Sequence, residues 1–193
     1  MNNKLIEFLK NYIECERPEK SKWEKHSVSV AKAAWLIGNR IKSIDENKAY
    51  IYGLLHDVGR IFGDMKINHI FMGYKLLNYG GYNDISRICL THSFPIKDIN
   101  QVTKIWDCKT EDYLFLEKYL NGIKYNDYDM LIQLCDVLCD HNGFIDMEER
   151  FIDIVNRYGF DESNTIKRFN KLRELKKYFE VKAGITIENI LNL

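Results

Sequence analysis

The chain has 193 residues, with 28 Lys plus Arg against 28 Asp plus Glu, 46% hydrophobic residues, 11 glycines and two prolines. Zero net charge supplies no overall field for nucleic acid or a membrane surface, and so few glycines and prolines leave little room for a turn-rich all-β protein. The length suits one domain with a full core, and no apolar run reaches the roughly 20 residues that a membrane-spanning helix requires.

Residues 1–10 alternate polar and apolar side chains without a continuous apolar stretch, which argues against a secretory signal. Leu5, Ile6, Leu9, Tyr12 and Ile13 then fall at helical spacing and predict a short amphipathic helix that stops before Pro18. A longer helix is predicted over 22–42. It is apolar on most sides, hence central, and Ala31, Ala33 and Ala34 would let a neighbouring helix approach closely. A third helix covers about 46–58, stopped by Gly59. The fourth covers 68–79 and ends at Gly80-Gly81; the fifth starts near Asn83-Asp84 and ends before Pro95.

Residues 96–109 are the least regular stretch, expected as a loop with a short turn of helix. Further helices are predicted at 111–120, 129–140, 147–158 and 164–179, and an apolar tail, 185–193, is expected to pack back. No internal repeat, low-complexity tract or linker interrupts the pattern. The expectation is an all-α, compact, single-domain helical bundle spanning 1–193, with a motif-bearing core at about 22–140 and the helices of 141–193 packed on it.

The five cysteines (Cys15, Cys89, Cys108, Cys135, Cys139) are odd in number and lack paired-knuckle spacing. Cys135 and Cys139, four apart on a predicted helix, could mark a redox or metal pair, though small buried thiols are the commoner reading. A reduced, cytoplasmic compartment is expected.

Chemistry concentrates at the helix ends. His56-Asp57 follows the apolar run Ile51-Tyr52-Gly53-Leu54-Leu55, at the close of a buried helix, where free carbonyls and the negative end of the dipole favour a cation. Two such groups need a reason to be buried. A metal is one reason and a hydrogen-bonded pair is the other. His26 lies near the start of the central helix, His69 opens the fourth helix and His92 closes the fifth. Asp136 sits within the apolar stretch Leu131 to Leu138, where a carboxylate is unwelcome without a partner.

The order His26, His56-Asp57, Asp136 resembles the HD-domain phosphohydrolase superfamily, with Gly53-Leu54-Leu55-His56-Asp57-Val58-Gly59-Arg60 similar to its central motif. His69 with Gly73 four residues on, followed by His92, resembles the dinuclear YqeK-like branch; the short interval from Asp57 to His69 and the region 96–125 depart from that pattern. The resemblance implies an all-α HD-type fold and a metal-dependent phosphohydrolase. It implies that Asp57 bridges two divalent transition ions (Fe, Mn, Co or Zn), with His26, His56 and Asp136 completing one and His69 and His92 the other. A metal-activated water would attack a phosphate ester or anhydride of a nucleotide or small organic phosphate, without a protein nucleophile.

Around this set, Arg60 is a candidate catalytic residue, pairing with phosphate or forming a surface ion pair. Lys66, Lys97 and Ser93 could meet a phosphorylated substrate, or serve solvent and backbone. Met147-Glu148-Glu149-Arg150 reads as a solvated helix face and His141 as a loop residue. Tyr50, Tyr52, Tyr74 or Phe94 could stack on a base, although aromatics at such positions more often fill the core. Two alternatives stay open: a mononuclear nucleotidase using His26, His56, Asp57 and Asp136, and a non-catalytic nucleotide or metal sensor. The sequence leaves the oligomeric state undefined.

Overall fold

The computed structural model describes residues 4–101, 106–158 and 162–193. Among them run α1 (Lys4–Glu14), α2 (Lys22–Gly38), α3 (Glu46–Leu55), a 3-10 turn (Val58–Phe62), α4 (Asn68–Tyr79), α5 (Asn83–Thr91), α6 (Thr110–Gly122), α7 (Asp127–Val137), α8 (Met147–Tyr158), α9 (Glu162–Ala183) and α10 (Ile187–Leu191). The all-α expectation holds: the described residues contain no strand, only an isolated bridge between Cys139 and Phe144. None of their helices is long and apolar enough to cross a membrane.

α2 and α3 form the central pair, with α7 packed across both and α1, α9 and α10 outside them. The small residues of α2 do what their size allows. A Cβ on Gly53 of α3 would lie 2.8 Å from the Ala31 Cα, so a glycine is what lets the two backbones meet. One cluster of buried side chains runs from Leu9 and Ile13 through Val30, Ala34, Leu54, Leu55 and Leu134 to Phe179 and Ile187. Each large member taken out of water contributes about 1.5–3 kcal/mol. A smaller cluster joins α4, α5 and α6 through Ile70, Phe71, Leu90, Phe94, Leu116 and Leu120.

Several boundaries differ from the sequence pattern. α2 ends at Gly38 rather than near residue 42, because the chain turns there and sends Ile41 and Ile44 back into the core. α3 ends at Leu55, so His56 and Asp57 stand just beyond the helix instead of in its last turn. Gly59 is not its terminator. It sits in the 3-10 turn, where an added Cβ would meet the His69 carbonyl oxygen at 1.9 Å.

α7 starts at Asp127, capped by Asn126, and stops at Val137 as the chain turns toward the Cys139 bridge. α9 runs on to Ala183, where Gly184 at φ +70° closes it. In the irregular stretch at 96–109 a short turn of helix forms at 99–101, and 102–105 lie outside the described residues, as do residues 1–3. All five cysteines are free thiols, with Cys135 and Cys139 buried.

Candidate metal centre

Three devices bring the helix ends together. The first is a stack of close approaches: Gly59 fits against His69 and Gly73 of α4, and a Cβ on Gly73 would lie 2.9 Å from the Cys89 sulfur of α5. This spacing draws the His56-Asp57 corner, the start of α4 and the end of α5 into one place.

The second is a buried polar lock. Asp129 on α7 is fully buried and accepts from Arg87 Nε at 2.9 Å and Thr91 Oγ1 at 2.8 Å, both on α5. Gln133 adds donations from Nε2 to the carbonyls of Thr91 (2.9 Å) and Phe94 (3.2 Å). Together they fix the segment carrying His92 against the helix carrying Asp136. The third is Asp107, whose carboxylate accepts from the Lys66 and Asn68 N–H groups at 2.8 and 2.7 Å and so anchors the entry to α4.

All six sequence candidates converge. His26 Nε2 lies 2.9 Å from Asp136 Oδ1, and His56 Nε2 lies 3.8 Å from that same oxygen. Asp57 stands in the middle: its Oδ1 is 2.9 Å from His69 Nε2 and 3.5 Å from His92 Nε2, and its Oδ2 is 4.0 Å from His56 Nε2. His69 and His92 approach to 3.4 Å at their Nε2 atoms. Three overlapping groups have ligand atoms all within 4.8 Å of one another: His26/His56/Asp57, His56/His92/Asp136 and Asp57/His69/His92.

The imidazoles are oriented from behind. The Nδ1 atoms of His56, His69 and His92 face the carbonyls of Gly53, Lys66 and Ile88, one turn back along the chain. A carbonyl only accepts, so each Nδ1 carries the proton and each Nε2 turns a lone pair inward. His56 Nε2 is buried and has no hydrogen-bond partner among the described residues. A buried lone pair without a donor is costly in a metal-free protein and is what a cation would satisfy. The donor set fits a divalent transition metal.

The electrostatics agree. Burial pushes the His56 pKa down to about 4 and lowers that of His69, which keeps both neutral and available as donors. Burial alone would raise Asp57, but facing His69, Arg60 and His56 holds it well below the usual carboxylate range. Asp136 is lowered as well: burial is outweighed by the hydrogen bond with His26 and by the nearness of the His26 and His56 rings.

Arg60 is neither a solvent-facing ion pair nor directed at open space. Its Nε donates to Asp57 Oδ2 at 2.7 Å and its Nη1 to the Met65 carbonyl at 2.8 Å. The other flanking candidates divide. Lys66 contributes its backbone, while Lys97 donates to the Ile123 carbonyl and lies 5.0 Å over the Tyr125 ring. Ser93 is half-buried just beyond the His92 cap. Glu148 pairs with Arg173 and Arg150 with Asp153, and His141 sits in a loop beside Asp140.

Each of the four aromatics named from sequence has a partner or a packed place within the fold. Tyr50 donates to Glu14, Tyr52 packs on Tyr128, Tyr74 packs on Phe115, and Phe94 is fully buried in the smaller cluster. Sequence reasoning misses Arg168 of α9, a half-buried guanidinium near enough to Asp136 to feel its charge. Nothing in the periodicity of a helix rich in Lys and Arg singles it out.

The profile of the HD domain matches residues 23–139, a span that contains all six convergent side chains, from His26 on α2 to Asp136 on α7. No curated protein and no solved structure matches the chain. On the strength of that match, and with the His and Asp side chains gathered as described, the chain belongs to the HD domain family, whose members are in general metal-dependent hydrolases.

Proposed function

We propose that the chain is a phosphohydrolase with a two-metal centre, acting on a phosphate ester or phosphoanhydride of a nucleotide or small organic phosphate. The observation that carries this reading is the placement of Asp57. One of its oxygens faces His69 and His92, and the other faces His56. A carboxylate so placed can serve two ions at once. His26, His56 and Asp136 would complete one ion and His69 and His92 the other, which favours the dinuclear YqeK-like branch of the superfamily. Imidazoles and carboxylates without thiolate suit Fe, Mn, Co or Zn. When bound, such ions supply a water acidic enough to act as nucleophile near neutral pH and a clamp on the phosphate oxygens.

The chain's own residues prepare that chemistry. The carbonyls of Gly53, Lys66 and Ile88 hold the Nδ1 protons, so three Nε2 lone pairs point inward. Arg60 steadies Asp57 through its Nε–H and favours the ionised form. His56, His69, His92 and Asp57 are all buried, so charges placed among them are weakly screened. We assign Arg60 the role of positioning the central carboxylate. The partner is a small phosphorylated molecule rather than nucleic acid or a membrane, and the setting is a reducing cytoplasm.

Elemental analysis of the purified protein, followed by phosphate release from a panel of nucleotides and simple phosphate esters with Mn²⁺ supplied, tests this. Two ions per chain with phosphate release are expected. One ion per chain favours the mononuclear reading with His26, His56, Asp57 and Asp136, of which the first three already gather as one group. No ion and no release would end the proposal.

A further inference from the structure

α5 and α7 meet along a polar seam that ends in the centre. On α7, Asp129, Gln133 and Asp136 fall at i, i+4 and i+7, one stripe of the helix. All three meet α5 or the turn that follows it. Asp129 accepts from Arg87 Nε at 2.9 Å and from Thr91 Oγ1 at 2.8 Å, and Arg87 Nη2 bonds its other oxygen. Gln133 donates to the carbonyls of Thr91 and Phe94. Asp136 has a carboxylate oxygen within 4.8 Å of a ring nitrogen of His92.

The seam grips His92 from both sides, since Thr91 and Phe94 flank it. The Phe94 carbonyl accepts from the Tyr125 hydroxyl as well, at 2.7 Å. At the cap of α7 the Asn126 N–H donates to Asp129 at 2.8 Å, and Arg87 Nη2 reaches the Lys124 carbonyl at 2.7 Å. Thr91, Asp129 and Gln133 are buried, so bulk water does not compete for these bonds.

Apolar contact is non-directional and tolerates sliding, whereas hydrogen bonds confine their partners to a narrow range of distance and angle. A buried ion pair such as Arg87–Asp129 adds little net stability over well-packed apolar side chains, and fixing register is its best-attested use. What this seam holds in register is His92 against Asp136. In the two-metal reading His92 belongs to one ion and Asp136 to the other. Asp136 needs the support: its side chain is 27% exposed, against 2% at His92, so it stands at the open face of the centre, where burial does not fix it.

We propose that Arg87, Thr91, Asp129 and Gln133 are positioning residues that set the separation of the two ions, by fixing a ligand of one against a ligand of the other. The inference rests on the two-metal reading and adds to it four residues outside the ligand set. Two ions clamp a phosphate only at a separation that matches its oxygens, so the seam governs the geometry on which that chemistry depends.

The test is low-temperature electron paramagnetic resonance of the full-length protein titrated with Mn²⁺, in wild type and in Thr91→Val, Gln133→Met and Thr91→Ser. The first two variants remove seam bonds with little change of shape and leave the Arg87–Asp129 pair intact, so they fold where Asp129→Ala would strand a buried charge. Ile13→Ala, in the core on α1, supplies a loss of thermal stability with the seam untouched. Wild type is expected to take two Mn²⁺ ions and to give an exchange-coupled spectrum. Thr91→Val and Gln133→Met should each alter that coupling and weaken the second ion by roughly tenfold or more. Thr91→Ser should restore both, and Ile13→Ala should change neither. Two ions in wild type with unchanged coupling in Thr91→Val and Gln133→Met overturns the seam and leaves the two-metal reading standing. An equal change in Ile13→Ala also overturns it, by reducing the effect to general stability. A single ion in wild type sinks the two-metal reading and the proposal with it.

Discussion

His26 Nε2 stands 2.9 Å from Asp136 Oδ1, and that contact ties the beginning of α2 to the end of α7 across the open face of the centre. Both are ligands of one ion in the proposed arrangement, and both are more exposed than the other four. Asp136→Ala should lower metal content by one ion per chain and cut phosphate release by more than roughly 100-fold, since even outer partners of ligands cost 10–100-fold. Helical content by circular dichroism should be unchanged. Full metal content in this variant would remove Asp136 from the site.

Asp57 has a different signature because both of its oxygens are engaged. Asp57→Asn should release both ions and reduce turnover by roughly 10³-fold or more. His69→Ala and His92→Ala should each release one ion only. Equal metal loss from all three variants would argue against a shared carboxylate.

Gly59 gives a test of how the centre is assembled. An added Cβ would lie 1.9 Å from the His69 carbonyl oxygen and 2.6 Å from the Gly73 nitrogen, both backbone atoms that cannot swing aside. Gly59→Ala should destabilise the protein by about 3 kcal/mol in urea denaturation and weaken metal binding with it. Gly122→Ala is the control: nothing lies within 4 Å of its added Cβ, and it should be neutral or stabilising by up to about 1 kcal/mol.

The metal-free protein should lose stability on mild acidification. Burial holds the folded His56 pKa at about 4, against about 6.5 for an unfolded histidine. Between those values the unfolded chain binds the additional proton, so stability falls as pH drops from about 6.5 toward 4, by up to about 3 kcal/mol for this group. The lowered pKa of His69 acts in the same direction. Urea midpoints measured across this range check the slope, and a flat profile would contradict it.

What is legible in the sequence has a local cause. His56-Asp57 stands out because an apolar run drives it into the interior, where two polar groups demand a partner. The bounds of α4 agree with the pattern because its glycine pair and its apolar spacing lie within a few residues of each other. The end of α3 differs because Gly59 has the local mark of a helix stop. Its actual role is contact with His69 and Gly73, which no local rule contains.

The sequence by itself determined that helices would form, which faces they would bury and which donor atoms would stand at their ends, because spacing and side-chain chemistry are properties of neighbouring residues. Only the tertiary structure decided that Asp57 lies between His56 and the His69/His92 pair and that Asp129 locks α5 to α7. Those relationships join residues tens of positions apart, and they follow from how closely backbones can approach, which packing alone sets.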